Sequence, residues 1–284
     1  MKNLILAVSG GVDSVVMLDM LSGRRAELGL NLLVAHVDHG IREDSAVEAE
    51  FVRALAEGYQ LEFVSKRFEL GEGASEQLAR EARYEFLFAL ADQHQADIAV
   101  AHHSDDVIGS IAINLIRGTG WRGLAVMNRP GLVRPLIEFS KQDLYDYAVK
   151  NRLEWVEDST NQDKKYLRNR LRASVLALDD ATKAELTDLR QKQINLAQEI
   201  ATESARINTQ AGDSRYFYSM IDQSVARELL YFTVYRQTQL SLTKQMADRA
   251  LLAIKTAQPG TYHDLSAKVG LRFSRQGFVV DKHL

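Results

Sequence analysis

Apolar residues fall in short blocks along the first half of the chain, separated by wider-spaced stripes. Leu4–Val8, Leu32–Ala35, Glu62–Val64 and Ile98–Ala101 are β-branched or apolar runs of strand length. Helical spacing fills the gaps. Ser14–Leu28 places Val15, Val16, Leu18, Met20 and Leu21 at helical intervals, and Gln77–Gln93 does the same with Leu78, Ala82, Phe86 and Ala89. Ser45-Ala-Val-Glu48 has the form of a capping box ahead of Phe51, Val52 and Leu55. Strands alternating with helices predict an α/β fold with a parallel sheet covered on both faces, and ligands beyond the carboxyl ends of its strands.

The pattern continues through Leu132–Ile137 and a helix from Ser140 to about Asn151, then changes. Residues 180–208 form one polar helix free of Gly and Pro, read here as a spacer. The sequence Ala211-Gly-Asp-Ser-Arg215 marks a boundary. Beyond it lie helical patterns at 224–236 and 243–256, a Pro259-Gly260 turn and a hairpin over 269–281. The expected organisation is a catalytic domain over 1–176, a helical spacer over 177–212 and a small α+β domain over 213–284.

Composition narrows the function. The chain holds no cysteine, which removes disulfides, zinc–thiolate sites, iron–sulfur clusters and thiol catalysis. A net charge of −3 argues against a basic coat for nucleic acid, though not against a local patch. No apolar stretch approaches the roughly 20 residues needed to span a bilayer. The N-terminal run has no small-residue cleavage site and too little length for a signal peptide, and the absence of cysteine fits the cytoplasmic protein expected.

The candidate chemistry starts at Ser9-Gly10-Gly11-Val12-Asp13-Ser14. Strand, glycine turn and helix start together make an anion site. Gly10 and Gly11 let the backbone approach a phosphate, Ser9 and Ser14 can donate hydroxyls, and Asp13 can hold Mg²⁺ on phosphate oxygens. A plain turn with Ser9 and Asp13 as caps is the alternative. Neither Gly-Lys-Ser/Thr nor G-x-G-x-x-G is present. After the second strand come His36, Asp38 and His39, which reach the same edge. Arg80 and Arg83 share one helix face and suit a phosphate. His102-His103-Ser104-Asp105-Asp106 opens a helix after the fourth strand; its carboxylates can cap the helix or hold a metal or an ammonium group.

The hexapeptide Ser9–Ser14 resembles the PP-loop of the ATP pyrophosphatases. Six further stretches (36–42, 79–86, 101–106, 115–127, 134–137 and 157–172) are similar, in order and spacing, to the tRNA(Ile)-lysidine synthases of that family. The resemblance covers residues 3–176 closely. It implies an adenine nucleotide alpha hydrolase-like fold and a ligase that uses ATP and Mg²⁺. Such a ligase adenylates the C2 oxygen of the wobble cytidine in a CAU-anticodon isoleucine tRNA, and the amine of free lysine then displaces AMP. Carried over residue by residue, Asp13, Asp38, Arg83, Asp105 and Asp106 are catalytic. Ser9, Gly10, Gly11, Val12, Asp13, Ser14 and His36 bind nucleotide, and Asp13 also holds Mg²⁺ through pyrophosphate. Arg80, His102, Arg117, Arg122, Arg168, Asn169, Arg170 and Arg172 meet substrate or tRNA. The loop from Arg117 to Gly123 reads as a flexible basic segment that orders around substrate. One departure stands out. The family pattern Asp-Asp-x-x-Glu-Thr is here Asp105-Asp106-Val-Ile-Gly109-Ser110, so a carboxylate associated with lysine is missing.

Three rival readings compete with a lysidine-forming ligase. A thiolating relative needs cysteines the chain lacks. A two-metal phosphohydrolase would use His36, Asp38, His39, His102, His103, Asp105 and Asp106. A tRNA-binding relative with altered chemistry would follow from the loss at Gly109. A two-fold dimer is the default oligomer.

Overall fold

The computed structural model describes residues 1–38, 40, 45–69, 71, 75–157, 175 and 177–282. They divide into two compact units, Met1–Gln193 and Ile194–Leu284.

In the first unit, five parallel strands form a sheet of order β3-β2-β1-β4-β5. They are β1 (Lys2–Ala7), β2 (Leu30–Asp38), β3 (Glu62–Arg67), β4 (Asp97–Val100) and β5 (Leu132–Val133). Five helices flank it: α1 (Val12–Arg24), α2 (Ser45–Gly58), α3 (Glu76–His94), α4 (Ser104–Ile116) and α5 (Lys141–Lys150). β1 is central, and its side chains divide by parity. Leu4 and Leu6 join Val16, Met17, Leu32, Val34, Val52, Leu144 and Ala148 in one core. Ile5 joins Leu33, Leu87, Leu90 and Ile98 in the other. The alternation of a strand thus distributes one apolar run to both faces of the sheet. Each such fully buried side chain is worth about 1.5–3 kcal/mol relative to exposure.

The strand order reverses between β1 and β4, since β2 and β3 extend one way and β4 and β5 the other. Such a switch point opens a crevice at the carboxyl ends of the two strands. The turn after β1 and the turn after β4 are the two segments singled out from sequence, and they meet there.

Some expectations shift. The Leu132–Ile137 run supplies only a two-residue strand. The first helix ends at Arg24, short of Leu28, and Gly29 at φ +62° closes the turn into β2. The Ser45 side chain of the expected capping box lies outside the description.

The long polar helix, α6, spans Asp180–Ala211 and contains the division between the units. Its first turns are not a bare spacer. Lys183 pairs with Asp105, and Arg190 donates to the carbonyls of Val126 at 2.9 Å and Met127 at 3.3 Å.

The second unit holds α7 (Arg215–Met220), α8 (Gln223–Thr238), α9 (Lys244–Thr256) and an antiparallel sheet β6-β7-β8 over Tyr262–Ser266, Val269–Phe273 and Phe278–Lys282. The expected hairpin is β7–β8; β6 is an addition. Tyr218, Leu230, Ile254, Leu271 and Phe278 centre its own core. Several of its basic residues serve that unit internally. Arg215 donates to the carbonyls of Ile254, Ala257 and Ser274, Arg227 pairs with Asp248, and Arg272 with Asp281.

Candidate active site

β1 ends at Ala7 and the chain turns through Val8–Gly11 into α1. Gly10 adopts φ +91°, and its carbonyl accepts from Val156 N–H at 3.0 Å. Gly11 caps α1 in an extended conformation with no side-chain hydrogen bond. The first turn therefore presents backbone amides and the positive helix end to the crevice. Ser9 N–H donates to Ser14 Oγ at 3.2 Å, the two hydroxyls are 3.3 Å apart, and Ser14 Oγ donates to the Gly11 carbonyl at 2.8 Å. Val12 packs against the core beneath. His36 is buried and its Nδ1 lies 2.9 Å from the Val8 carbonyl, so this nitrogen carries the proton and braces the turn from β2.

The turn after β4 brings up the acids. His103 is buried beside three aspartates. Its Nε2 lies 3.5 Å from Asp106 Oδ2 and 3.9 Å from Asp13 Oδ2, and its Nδ1 lies 3.8 Å from Asp105 Oδ2. Asp106 also accepts from His103 N–H at 3.3 Å, which fixes the start of α4. Two lysines complete the cluster. Lys141 Nζ donates to Asp13 Oδ1 at 2.6 Å, and Lys141 N–H donates to Asp105 Oδ2 at 2.8 Å. Lys183 Nζ stands 3.2 Å from Asp105 Oδ1, an ion pair without hydrogen-bond alignment.

The two neighbouring aspartates thus differ in what they can do. Asp105 is buried with both oxygens engaged, whereas the Asp106 side chain keeps 29% of its surface exposed. Gly109 follows one turn later, and a Cβ built there meets nothing within 4 Å. Ser110 Oγ donates to the Asp106 carbonyl at 2.8 Å.

Asp38, at the end of β2, is committed to its own turn. Oδ1 accepts from Gly40 N–H at 2.8 Å and Oδ2 lies 3.4 Å from Arg67. Gly40, at φ +61°, has no room for a Cβ against the Phe68 carbonyl.

Arg80 and Arg83 both lie over the ring of Tyr84, at 5.0 and 5.3 Å. Arg129 joins them, 5.5 Å from Tyr84 and 4.3 Å from Phe88. Arg134 stands close by. Burial pushes its guanidinium below the usual arginine range, and the charges of Arg190 and Arg80 push the same way. Arg190 is lowered by burial as well. The Tyr84 phenol opposes that push on Arg134, and such a crowding of cations is suited in its chemistry to an anion.

The Arg117–Gly123 segment forms a turn closed by side-chain hydrogen bonds. Thr119 Oγ1 donates to the Asn114 carbonyl at 3.0 Å and Asn114 Nδ2 to the Gly123 carbonyl at 2.8 Å. Gly123 packs so tightly on Thr119 that a Cβ would collide with it. Arg122 lies 4.8 Å from the Trp121 ring. Arg117 is the C-cap of α4.

His39, Arg168, Asn169, Arg170 and Arg172 lie outside the described residues. Among the described residues no group of three His, Asp or Glu is arranged to hold a metal ion, so the two-metal reading finds no support in His36, Asp38, His102, His103, Asp105 and Asp106. Asp13, a partly exposed single carboxylate beside a phosphate-type turn, does suit Mg²⁺ bound through one carboxylate and substrate phosphates. Sequence reasoning missed Lys141, Lys183, Arg129 and Arg190, and named Arg134 and His103 only within longer stretches. One signal was available: Lys141 and Lys183 each sit in the first turn of a helix, where a cation opposes the dipole.

Comparison with known proteins agrees with this geometry. A PP-loop domain family matches residues 1–178. The tRNA(Ile)-lysidine synthase of Enterococcus faecalis is 38% identical over 186 residues, which are 62% of this chain and 40% of that protein. Those of Exiguobacterium sibiricum and Thermotoga maritima are 40% and 35% identical over 62% of this chain and cover 43% and 45% of their own lengths. The match therefore spans less than half of these relatives. Among solved structures, the U34-tRNA thiolase NcsA of Methanococcus maripaludis superposes with a TM-score of 0.55 at 19% identity, over 69% of this chain and 71% of that one, a likeness of fold. With its glycine turn after β1, its switch-point crevice and a family match over most of its length, this chain belongs to the PP-loop family.

Proposed function

We propose that this chain is an ATP-dependent tRNA-modifying ligase that joins free lysine to C2 of the wobble cytidine in a CAU-anticodon isoleucine tRNA. The observation that carries the reading is the meeting of the uncapped α1 start with the aspartates of the β4 turn in one crevice. The names of the relatives support the choice of substrate.

The α1 amides, Gly10, Gly11, Ser9 and Ser14 cradle the ATP phosphates, and Asp13 holds Mg²⁺. The metal ion supplies charge neutralisation at the phosphate oxygens. Arg80 and Arg83, with Arg129, Arg134 and Arg190 behind them, draw in a substrate phosphate and balance charge that develops during adenylyl transfer. His36 and Asp38 keep the β1 and β2 turns in register with the crevice. Asp106, braced by His103, receives the lysine amine and takes its proton, because only the neutral amine can attack. Asp105 acts through position, anchoring the starts of α5 and α6. His102, Arg117 and Arg122 border the substrate, and Arg168, Asn169, Arg170 and Arg172 meet the tRNA backbone.

The test is incorporation of labelled lysine into the isoleucine tRNA with ATP and Mg²⁺, beside a methionine tRNA control. Incorporation into the first alone is expected. Absence of both adenylation and incorporation would overturn the reading. A Gly109→Glu variant has open space for its side chain and should lower the lysine KM by restoring a second carboxylate. A changed nucleophile is the second reading, favoured by Gly109 itself, and adenylation without lysine transfer in both proteins would select it.

A further inference from the structure

Lys141 makes two bonds that can be separated by mutation. Its backbone N–H holds Asp105 and its side-chain ammonium holds Asp13. The residue opens α5 behind Ser140, whose hydroxyl accepts from Asp143 N–H at 3.1 Å while Asp143 accepts from Ser140 N–H at 2.7 Å. The cap therefore fixes Lys141 without help from its own side chain. A lysine placed against the positive end of a helix is unfavourable unless something anionic faces it. Here that something is Asp13.

The turn after β1 lacks a feature that other phosphate-binding turns contain. Gly-Lys-Ser/Thr turns carry a lysine that reaches the terminal phosphates. Ser9–Ser14 has none. Lys141, which stands 128 residues away from Asp13 in the sequence, brings an ammonium to the same place. Both side chains remain partly exposed, 24% for Lys141 and 28% for Asp13, so the ammonium has room to leave.

We propose that Lys141 is a further catalytic residue of adenylyl transfer: its ammonium, paired with Asp13, turns to the pyrophosphate leaving group when Asp13 takes Mg²⁺. The proposal rests on the adenylation reading above. Mg²⁺ bound through the other oxygen, Oδ2, would neutralise the carboxylate that holds the ammonium and repel it, while the phosphates offer the stronger negative charge. In the transfer the attacking oxygen bonds to the α-phosphorus, and the bond from that phosphorus to the bridging oxygen breaks. The electron pair departs with pyrophosphate. Lys141 stays protonated throughout and faces the charge that the leaving group gains.

The test compares Lys141→Met and Lys141→Arg with the wild-type full chain. The Met variant retains the backbone bond to Asp105 and the cap of α5, so its urea midpoint should stay close to wild type. Calorimetric titration with pyrophosphate and Mg²⁺ should show binding at least about tenfold weaker in Lys141→Met, with Lys141→Arg recovering most of it. Single-turnover pyrophosphate release should fall roughly 10²- to 10³-fold in the Met variant, the usual cost of losing one preorganised donor to developing charge. Wild-type pyrophosphate affinity and release in Lys141→Met would overturn the proposal. So would a lowered urea midpoint with unchanged affinity, which would make Lys141 a structural tie. Pyrophosphate binding that depends on Lys141, in a protein that adenylates no RNA, would uphold the contact and overturn the adenylation reading instead.

Discussion

Two adjacent glycines in the β1 turn do different work, and the difference is measurable. Gly10 sits at φ +91°, where an L-residue costs roughly 1–2 kcal/mol. Gly11 sits at φ −71° and ψ 158°, and an added Cβ there meets Ser9 Oγ at an ordinary 3.7 Å. The backbone at Gly11 does not demand glycine, so its absence of a side chain matters only to a ligand that approaches closely. Gly10→Ala is therefore expected to lower unfolding free energy by about 1–2 kcal/mol. Gly11→Ala should change it by less than about 0.5 kcal/mol, since a poorer N-cap offsets the entropy removed from the unfolded chain. ATP affinity should fall at least about tenfold in Gly11→Ala. Urea titration and calorimetry with Mg-ATP decide the matter, and normal ATP binding by Gly11→Ala would mean that no phosphate comes close at that position.

At the scale of elements, α1 is clamped by its own back face. Asp19 accepts the hydroxyl of Tyr59, beyond α2, and the hydroxyl of Tyr147, on α5, each at 2.7 Å. These bonds set the packing that carries Lys141 toward Asp13. Burial, then the Asp19 hydrogen bond and charge, push the Tyr147 phenol up to about 12, and Tyr59 is raised for the same reasons. A phenol with a folded-state pKa above its unfolded value of 10.0 keeps its proton longer in the folded protein. Its contribution is complete below pH 10 and is lost as pH rises toward 12. The unfolding free energy of wild type should therefore fall between those limits, and Tyr147→Phe should flatten that fall. Equal alkaline slopes in urea midpoints for both proteins would refute the clamp. The same scale shows what the sequence can reveal. The two turns at the crevice were legible because strand, turn and helix start follow one another within a dozen residues. The Asp19 clamp and the Arg129–Tyr84 stack were not, since they join residues with no local pattern between them. The bonds that close the Arg117–Gly123 turn were hidden for a related reason: the glycines there do not announce the Thr119 and Asn114 side chains that hold it.

At the scale of the whole molecule, the described residues build two cores with no buried residue in common, one pair of clusters around the parallel sheet and one around α8, α9 and the antiparallel sheet. The alternation of strands and helices made the first readable. The second was legible only as a hairpin with helices, because β6, Tyr262-His-Asp-Leu-Ser266, has too little apolar alternation to announce itself. The parallel-sheet unit carries the proposed nucleotide site, so ligand should stabilise that unit and leave the other alone. The distribution of tryptophan makes this testable. Both tryptophans, Trp121 and Trp155, belong to the first unit, so their emission follows it selectively, while far-UV circular dichroism follows the helices of both. Mg-ATP at about 100 times its Kd should add about 2.7 kcal/mol to the first unit by mass action. For a unit of that size, this corresponds to roughly 5–10 °C in midpoint. Heating should therefore show the tryptophan transition moving up by that amount with Mg-ATP. A second component of the dichroism signal should stay where it was. Superimposed transitions that move together would mean that the two cores unfold as one, and a tryptophan transition indifferent to Mg-ATP would mean that the crevice between β1 and β4 does not hold the nucleotide.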